Sequence, residues 1–449
     1  MLRVMGPREV ARMRTINRRR FLKSSGAAAV WAGISPMILS AAKSGPRAAP
    51  NERIAVALIG CGNQGSSDLY AAMASGMVEV PVVCDVDDSH AAKVAAEVER
   101  RQKKRPRTVR DFRKVLEMPD LQAVIVGTPD HWHALIAVLA CDAGKDVYVE
   151  KPACHELAEG LAMIKATREN RRVVQLGTQL RSTRHMKTAV DVVRSGKLGR
   201  VGFCRAWICN HGRQLKGGPG GQPPQSVDYD FWLGPAPARP FHPDCFHREW
   251  RWFSPYGTGQ LGDRATHLLD IVRWAMNVEY PRAVASAGGI FFHRDGRDTP
   301  DTQVVTYDLP DFTVVWEHRQ WSARSPESSG LGFAFYGADA TLVVNYKGWE
   351  VHGEPKGDVI ASEKGSLDHK GHLQNFLDCV RSRRRPNADI EIGFATTAWP
   401  LMGIVAQKVG RKLTFDPAAR RFAGDDEANR LLARSYRSPW TMPERYRLA

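Results

Sequence analysis

The chain has 449 residues, of which 43% are hydrophobic and 25% are charged, enough to build two domains with sizeable cores. The formal net charge of +16 suggests nucleic-acid binding, but residues 1–50 contain ten Lys and Arg residues against one acidic residue, Glu9. The rest of the chain is only modestly basic and contains no nucleic-acid-binding motif. The composition therefore argues against a nucleic-acid partner.

Residues 1–50 form a basic leader and linker that stands apart from the fold. The segment 17–23, NRRRFLK, looks like a twin-arginine (Tat) export signal, and a weakly apolar stretch, 26–34, follows it. That stretch is too short and too rich in Ala and Gly to span a bilayer about 30 Å thick. We expect recognition by the Tat export machinery, a periplasmic or otherwise exported location and no stable membrane span. A disordered basic N-terminus is the alternative.

A glycine-rich turn follows the first predicted strand, the apolar run 54–59. Gly60 permits the tight turn, Gly62 lets the backbone approach a pyrophosphate, and Gly65 lets the helix 66–75 pack closely on the strand. The helix N-terminus would attract the phosphates. The predicted contacts with a dinucleotide are Gly60, Gly62, Asn63, Gln64 and Gly65. An ordinary strand–helix turn stays open as the alternative.

Asp85 ends the second predicted strand, 78–85, and lies 25 residues after Gly60. A carboxylate in this position accepts hydrogen bonds from the ribose hydroxyls of the adenosine and repels a 2′-phosphate. This spacing predicts NAD as the cofactor, with NADP less favoured. The alternative for Asp85 is a helix N-cap.

Further strands, 123–129 and 146–150, alternate with helices 89–101 and 130–141. This alternation predicts an α/β fold: a Rossmann domain over residues 51–176, with a doubly wound parallel sheet. The third long strand ends in Thr128 and Pro129, with His133 in the next helix, and the fourth ends in Glu150-Lys151-Pro152. Lys151 stands where parallel sheets bind their ligands, although a surface lysine is the alternative.

The segments GCGNQG (60–65), Thr128-Pro129 with His133, and AGKDVYVEKP (143–152) resemble the Gfo/Idh/MocA family of nicotinamide-dependent oxidoreductases. The similarity extends from residue 53 to the end. It implies activity on sugars, cyclitols or their derivatives, with Lys151 facing the nicotinamide and the substrate. It also implies a cis Lys151–Pro152 bond. We assign Thr128, Pro129, His133, Glu150, Lys151 and Gln179 to the cofactor side and Arg181 to the substrate.

Residues 177–449 are predicted to form an α+β domain that binds substrate and mediates oligomerisation. Short links separate most of its later strands, which predicts an open, mostly antiparallel sheet. The resemblance implies a homo-oligomer formed through such a sheet. The predicted helices are 184–195, 262–276, 372–380 and 396–409, the predicted strands are 201–209, 283–292, 302–309, 312–318, 331–337 and 340–346, and the tail from residue 416 is predicted to be peripheral.

The irregular segment 210–260 is rich in aromatic residues. Trp250, Trp252 and Tyr256 suit carbohydrate binding, because aromatic rings stack on sugar C–H surfaces and their polar tips bond hydroxyls. Packing of the loop against the sheet is the alternative, and for Trp250 and Trp252 it is an equal one. The eight cysteines show no zinc-type spacing, so we expect free, mostly buried thiols and no metal site.

Asp263 and His267 open a predicted helix after a glycine-rich loop. Four residues apart, they would lie on one helical face. A carboxylate beside an imidazole raises the pKa of the histidine and fixes its orientation, which suits acid–base catalysis. The pair is similar to the catalytic Asp/His element of the family, although a packed helical histidine stays open as the alternative.

These residues suggest reversible hydride transfer between a C–OH carbon of a carbohydrate and nicotinamide. His267 would take the hydroxyl proton, Lys151 would stabilise the charge on that oxygen, and Asp263 would orient His267 or bind a neighbouring hydroxyl. An exported enzyme would keep its NAD bound and recycle it with a second substrate. The alternatives are an NAD-dependent glycoside hydrolase that oxidises C3 transiently, although such relatives tend to depart from Glu-Lys-Pro, and a non-catalytic sugar-binding protein.

Overall fold

The structure, a computed structural model, describes residues 53–327 and 329–447, and the leader with its export signal lies outside them. A seven-stranded sheet and a ten-stranded sheet organise this part of the chain. No helix of the described residues is both long enough and apolar enough to cross a membrane.

The first sheet is parallel throughout. Its strands are β1 (Ile54–Ile59), β2 (Val78–Glu79), β3 (Val82–Cys84), β4 (Arg107–Val109), β5 (Ala123–Val126), β6 (Asp146–Val149) and β7 (Val174–Leu176). The order β4-β3-β1-β5-β6-β7, with β2 beside β1, confirms the predicted doubly wound Rossmann fold. The predicted strand 78–85 is divided at Pro81, which has no N–H to donate to a ladder.

Helices pack on both faces of this sheet because the side chains of β1 alternate between two cores. Val56 and Leu58 join the core that contains Leu69, whereas Ala57 and Ile59 join the core that contains Leu135. The helices of this region are α1 (Asn63–Met73), α2 (Asp88–Gln102), α3 (Phe112–Leu116), α4 (Asp130–Asp142) and α5 (Leu157–Glu169).

The second sheet has the order β15-β14-β13-β12-β8-β11-β10-β9-β16-β17. Only the β8–β11 pair is parallel, so the predicted open, mostly antiparallel sheet is confirmed. Its strands are β8 (Val201–Cys209), β9 (Ala283–Gly289), β10 (Thr302–Asp308), β11 (Thr313–Arg319), β12 (Leu331–Gly337), β13 (Ala340–Asn345), β14 (Gly348–Gly353), β15 (Asp358–Lys364), β16 (Leu413–Asp416) and β17 (Arg421–Phe422).

The remaining helices are α6 (Arg184–Arg194), α7 (Tyr229–Leu233), α8 (Thr266–Met276), α9 (His369–Ser382), α10 (Ile390–Val409) and α11 (Asp426–Arg430). Two of them pack against helices of the first domain: α9 contacts α1, and α10 contacts α5. One continuous core therefore joins the two sheets. The predicted domain boundary near residue 176 stays a prediction.

The expectation of a peripheral C-terminal tail is wrong. Trp440 packs edge-on against Trp132, with ring centroids 4.7 Å apart, and Tyr446 is fully buried. Arg434 donates hydrogen bonds to Glu159 and to the backbone carbonyl of His131. The tail therefore packs onto α4 and α5 of the first domain, a long-range contact that its polar local sequence does not indicate. All eight cysteines are free and buried, and the Lys151–Pro152 bond is cis, both as expected.

Candidate active site

The glycine turn between β1 and α1 is tightly packed at two glycines and open at the third. Gly60 has a φ of +93°, which favours glycine, and a Cβ on Gly65 would lie 2.2 Å from the Gly60 carbonyl oxygen. A Cβ on Gly62 would meet nothing within 4 Å. Helix α1 begins after Gly62 with no capping side chain and no acidic residue in its first turn. Its free N–H groups and positive dipole end therefore suit a pyrophosphate.

A cavity of about 840 Å³ begins at this turn and extends along the carboxyl ends of the parallel strands to the second domain. Most of the residues predicted to bind cofactor or substrate line it: Gly60, Gly62, Asn63, Gln64, Asp85, Thr128, Pro129, His133, Glu150, Lys151, Gln179, Trp250, Trp252, Asp263 and His267. Gly65 lies behind the turn, where it allows α1 to pack closely. The structure thus brings these side chains to one cavity, while their roles stay predictions.

Asp85 lies at the end of β3, on the wall of the cavity. Its carboxylate accepts hydrogen bonds from the backbone N–H groups of Cys61 (2.6 Å) and Asp87 (2.9 Å). Burial raises the pKa of Asp85, and the two backbone hydrogen bonds oppose that rise. Each carboxylate oxygen retains a second lone pair, so Asp85 can still accept a hydrogen bond from a ribose hydroxyl.

A loop of the second domain is fastened to the chain that follows β3. The N–H of Asp228 donates to the Val86 carbonyl at 2.9 Å, and the N–H of Asp88 donates to the Ser226 carbonyl at 3.0 Å. We call residues 226–248 the strap. It forms one wall of the cavity beside Asp85, so the second domain encloses the end of the cleft where the adenosine is predicted to bind.

A side-chain contact also holds the strap. His247 Nε2 lies 2.8 Å from Asp87 Oδ2, and the ring of His90 lies 4.2 Å from that of His247. These three side chains form the one candidate metal-ligating group among the described residues, with ligand atoms up to 4.8 Å apart. Asp87 also accepts a hydrogen bond from the N–H of Ser89, as the cap of α2. The contact is therefore already satisfied as a histidine–carboxylate pair.

Glu150, at the end of β6, is buried among polar side chains. Its Oε1 accepts a hydrogen bond from Gln179 Nε2 at 2.9 Å, and Gln64 Nε2, which donates to Asp68 at 2.9 Å, lies 3.5 Å from the same oxygen. Burial, followed by the nearby Asp68 carboxylate, raises the pKa of Glu150 to about 8. Glu150 therefore retains its proton at neutral pH, and Gln64, Glu150 and Gln179 form one connected wall.

His133 joins two turns of the site. Its Nδ1 lies 2.7 Å from the Pro152 carbonyl oxygen, and its Nε2 lies 2.8 Å from the Thr128 carbonyl oxygen. Burial lowers the pKa of His133, so the ring is neutral and donates to one carbonyl at a time. His133 therefore connects the turn at Thr128 to the turn that carries Lys151.

Lys151 and Asp263 form the central ion pair of the cavity. Lys151 Nζ donates to Asp263 Oδ1 at 2.6 Å and to the Asp263 carbonyl at 2.8 Å. Asp263 lies in a π-helical turn, Leu261–Ala265, that precedes α8 where a regular helix was predicted. Although burial alone would raise the pKa of Asp263, the charges of Lys151, Arg264 and Arg251 hold it well below its usual range. Asp263 is therefore a permanent anion.

His267 behaves differently from the sequence-based expectation. Burial, followed by the positive charges of Lys151 and Arg264, lowers the pKa of His267 well below its usual value, so the expected rise is wrong. No hydrogen bond joins Asp263 to His267, because the carboxylate faces Lys151, and His267 Nδ1 is buried without a partner. The ring is therefore neutral at physiological pH and able to accept a proton.

Trp250 and Trp252 reach the cavity wall, but two other predicted substrate residues lie elsewhere. Tyr256 is fully buried against the rings of His131 and Trp232, so it packs the loop. Arg181 forms a buried, bidentate ion pair with Asp270, in which Nε donates to Oδ2 at 2.7 Å and Nη2 donates to Oδ1 at 2.9 Å. A buried arginine needs such a partner, so Arg181 supports the position of α8 instead of binding substrate.

Sequence reasoning missed several cavity residues. Gly127 packs against the glycine turn, since a Cβ there would lie 2.5 Å from the Gly65 Cα, and its position after a buried strand was a usable signal. Except for His90, which lies in the first turn of α2, the others come from irregular segments or the ends of elements. They are His90, Asn210, His211, Arg213, His247, Arg248, Glu249, Arg251, Gln260, Arg264 and Gln320.

The fold and the cavity define a dinucleotide-binding protein of the Rossmann class whose second domain covers the cofactor cleft. The residues present fit NAD. The glycine turn is closely packed at Gly60 and Gly65 but open at Gly62, the next helix has an uncapped N-terminus, and Asp85 follows β3 on the cavity wall.

Comparison with known proteins agrees with this class. Residues 54–178 match the Gfo/Idh/MocA description "Oxidoreductase family, NAD-binding Rossmann fold", and residues 206–286 and 358–442 match the family's C-terminal alpha/beta domain. The chain belongs to the Gfo/Idh/MocA oxidoreductase family.

The individual relatives share 30% sequence identity or less with this chain in the matches described below. Levoglucosan dehydrogenase from Pseudarthrobacter phenanthrenivorans is 30% identical over 165 residues, which cover 36% of this chain and 35% of that protein. An alpha-N-acetylgalactosaminidase from Shewanella oneidensis is 23% identical over 206 residues, covering 42% and 45%. The chain thus matches less than half the length of these curated relatives. A levoglucosan dehydrogenase solved with NADH and levoglucosan shares the fold, with a TM-score of 0.62, 18% identity and coverage of 81% and 99%.

Proposed function

We propose that the protein is an NAD-dependent oxidoreductase that acts on a C–OH group of a sugar, a cyclitol or a derivative. The observation that carries the proposal is the presence of Lys151, Asp263 and His267 in the cavity that begins at the glycine turn. When bound, NAD supplies a nicotinamide ring that takes the hydrogen and electron pair from the substrate carbon. Gly60, Gly62 and Asp85 would hold the nucleotide.

The three side chains divide the remaining chemistry. Neutral His267 takes the proton of the substrate hydroxyl as its carbon is oxidised to a carbonyl. Lys151 donates a hydrogen bond to the same oxygen and stabilises its developing negative charge. Asp263, anionic and 2.6 Å from Lys151 Nζ, keeps the ammonium group in place. Asp263 thus orients Lys151 instead of His267.

Retention of the cofactor forms part of the proposal. The NRRRFLK segment supports Tat export to the periplasm, where free NAD is scarce. The strap supports retention, since its contacts with Val86, Asp87 and Asp88 would have to open before the adenosine leaves. A second substrate would then reoxidise the bound cofactor.

We also propose a homo-oligomer formed through the second domain. Phe291 and Phe292 follow β9 and are 70% and 61% exposed, and Val304 on β10 is 42% exposed. Exposed apolar side chains on one sheet and on the segment that follows β9 support contact with a second copy of the chain. Light scattering coupled to size exclusion tests this, and a monomer at micromolar concentration would contradict it.

The second candidate is an NAD-dependent glycoside hydrolase, favoured by the similarity to the galactosaminidase from Shewanella oneidensis. Transient oxidation at C3 acidifies the C2 proton, so the glycosidic group can be eliminated, and water addition and re-reduction complete a hydrolysis without net redox change. The retained Glu150-Lys151-Pro152 motif favours the oxidoreductase. The third candidate, a sugar-binding protein without turnover, is disfavoured by the intact set of Lys151, Asp263 and His267.

One experiment separates these candidates. The exported form is purified, its co-purifying nucleotide is identified by mass spectrometry, and the absorbance of reduced nicotinamide is followed with a panel of polyols, sugars and aryl glycosides. Stable reduction by a sugar, reversed by a second sugar, supports the oxidoreductase. Aryl glycoside cleavage without net reduction supports the hydrolase instead. Binding without either reaction supports the non-catalytic protein.

A further inference from the structure

The substrate end of the cavity carries more positive charge than its own carboxylate neutralises. Asp263 has three cationic neighbours: Lys151 Nζ at 2.6 Å, Arg264 Nε at 3.2 Å and Arg251 Nε at 3.5 Å. Lys151 forms a hydrogen bond with the carboxylate, whereas the two arginines lie at longer ion-pair distances from it. The Asp263 carboxylate therefore pairs mainly with Lys151, and each guanidinium group retains N–H donors for another acceptor.

The other titratable groups at this end of the cavity do not neutralise the excess positive charge. Arg213 and Arg248 also line the cavity. Glu249 also lines the cavity, but it already pairs with Arg213 at 3.2 Å and accepts a hydrogen bond from Trp252 Nε1 at 2.8 Å. Glu150 retains its proton at neutral pH and His267 is neutral. The glycine turn, where the cavity begins, would bind the phosphates of the cofactor.

Arg251 and Arg264 are held as a preorganised pair. The Arg251 guanidinium lies 4.4 Å from the centre of the Trp250 ring, and its Nη1 donates to the Arg248 carbonyl at 2.9 Å. Arg264 follows Asp263 in the π-turn, and its side chain also interacts with the side chain of Tyr346. Their side chains are 29% and 43% exposed, so both are partly removed from water yet still open to the cavity. A planar guanidinium in this setting binds a carboxylate or phosphate through two parallel hydrogen bonds.

We infer that the substrate is an anionic carbohydrate whose carboxylate or phosphate group is bound by Arg251 and Arg264. The inference rests on the proposed function and specifies its substrate class. With a neutral sugar, three partly desolvated cations would share the single Asp263 carboxylate, whereas an acidic sugar supplies a second anion. Charged hydrogen bonds of this kind contribute about 1.5–3 kcal/mol, so the preference over a matched neutral sugar is about ten- to a hundredfold.

The test uses the full mature chain with its co-purified nucleotide and matched sugar pairs: glucose with glucuronate and with glucose 6-phosphate, and galactose with galacturonate. Reduction of the bound nicotinamide gives kcat/KM for each sugar, and titration calorimetry gives binding without turnover. We expect an acidic member to be preferred at least about tenfold, and that preference to weaken as salt is added. Whether uronates or the sugar phosphate rank higher identifies the anionic group.

The variants are Arg251→Gln and Arg264→Gln, with Arg294→Gln, an exposed arginine outside the cavity, as the matched control. The readout is the acidic-to-neutral ratio of kcat/KM, which does not depend on the fraction of folded enzyme. We expect the ratio to fall about tenfold or more in both cavity variants and to hold in the control. Equal or better use of neutral sugars, or an unchanged ratio in both variants, overturns the inference while leaving the oxidoreductase in place. Acidic sugars that bind but never reduce the nicotinamide would overturn the oxidoreductase and retain the inference.

Discussion

Lys151 Nζ is 2.6 Å from Asp263 Oδ1 and 2.8 Å from the carbonyl oxygen of the same residue. This contact joins the end of β6 in the Rossmann sheet to the π-turn before α8 in the second domain, across 112 residues of sequence. Any opening between the two domains at this point must break it. The lysine predicted to face the nicotinamide is therefore positioned by the substrate domain.

Removing this lysine should abolish most of the activity without loss of the nucleotide. In Lys151→Ala, the carbohydrate oxygen loses its charged donor, so we expect kcat to fall by about 100- to 1000-fold. Stopped-flow reduction of the bound nicotinamide measures this, with Lys187→Ala, an exposed lysine on α6, as the control. A near-native rate in Lys151→Ala and in His267→Ala would contradict the assignment.

The pH profile reports on His267. Its pKa is lowered well below 6.5, so the neutral base persists as the pH falls from neutrality, and the acidic limb of kcat lies below pH 6.5. Arg264→Gln removes one of the positive charges that lower this pKa, so its acidic limb should move to higher pH. Steady-state rates across the acidic range test both statements. An unmoved limb in Arg264→Gln would show that another group controls the profile.

Two neighbouring glycines should respond to alanine in opposite ways. A Cβ on Gly65 would lie 2.2 Å from a backbone oxygen, so Gly65→Ala should lower the free energy of unfolding by about 1–3 kcal/mol. A Cβ on Gly62 meets no protein atom within 4 Å, so Gly62→Ala should fold normally and bind NAD more weakly. Thermal unfolding and nucleotide content measure the two effects. Equal NAD affinity in Gly62→Ala and the parent would place the pyrophosphate elsewhere.

Glu150 should make the protein less stable as the pH rises. Its folded-state pKa of about 8 exceeds the ordinary value of 4.5, so between these values the folded chain holds a proton that the unfolded chain has lost. The free energy of unfolding therefore falls with rising pH over this window. Glu150→Gln has no proton to lose, so its stability relative to the parent should improve from pH 4.5 to about 8. Thermal midpoints of nucleotide-free protein test this, and a constant difference would contradict it.

The strap should slow the release of the cofactor. His247→Ala removes the 2.8 Å contact with Asp87 and leaves the Lys151–Asp263 pair intact, so we expect faster NAD dissociation and less co-purified nucleotide. His352→Ala is the matched control, because that ring lies on β14 and contacts the Gly357 carbonyl outside the cavity. Dissociation is followed by exchange with a labelled nucleotide. Equal exchange rates in the two variants would exclude a retaining role for His247.

The local sequence predicts the elements better than their ends. Apolar runs and glycines identify β1, β5 and β6, because such signals lie within a few residues of one another. The strand expected at 283–292 ends at Gly289. The hairpin of β14 and β15 escapes prediction because glycine and charged residues interrupt the apolar pattern of its strands, GWEVHG and DVIASEK. Tyr256 and Arg181 were predicted to bind substrate but lie outside the cavity. Residue type alone does not distinguish a side chain that lines a cavity from one that packs a loop or a helix.

The sequence by itself determines the cofactor half of this protein: the glycine turn, Asp85, the Glu150-Lys151-Pro152 motif and the family that they indicate. Those signals are local because a dinucleotide is bound by one strand–turn–helix unit and its neighbours. Only the tertiary structure decides that Asp263 contacts Lys151, that burial and nearby cations keep His267 neutral, and that Arg251 and Arg264 line the cavity beside Asp263. These are properties of charges brought together from distant segments, where burial and distance, not residue type, set the electrostatics.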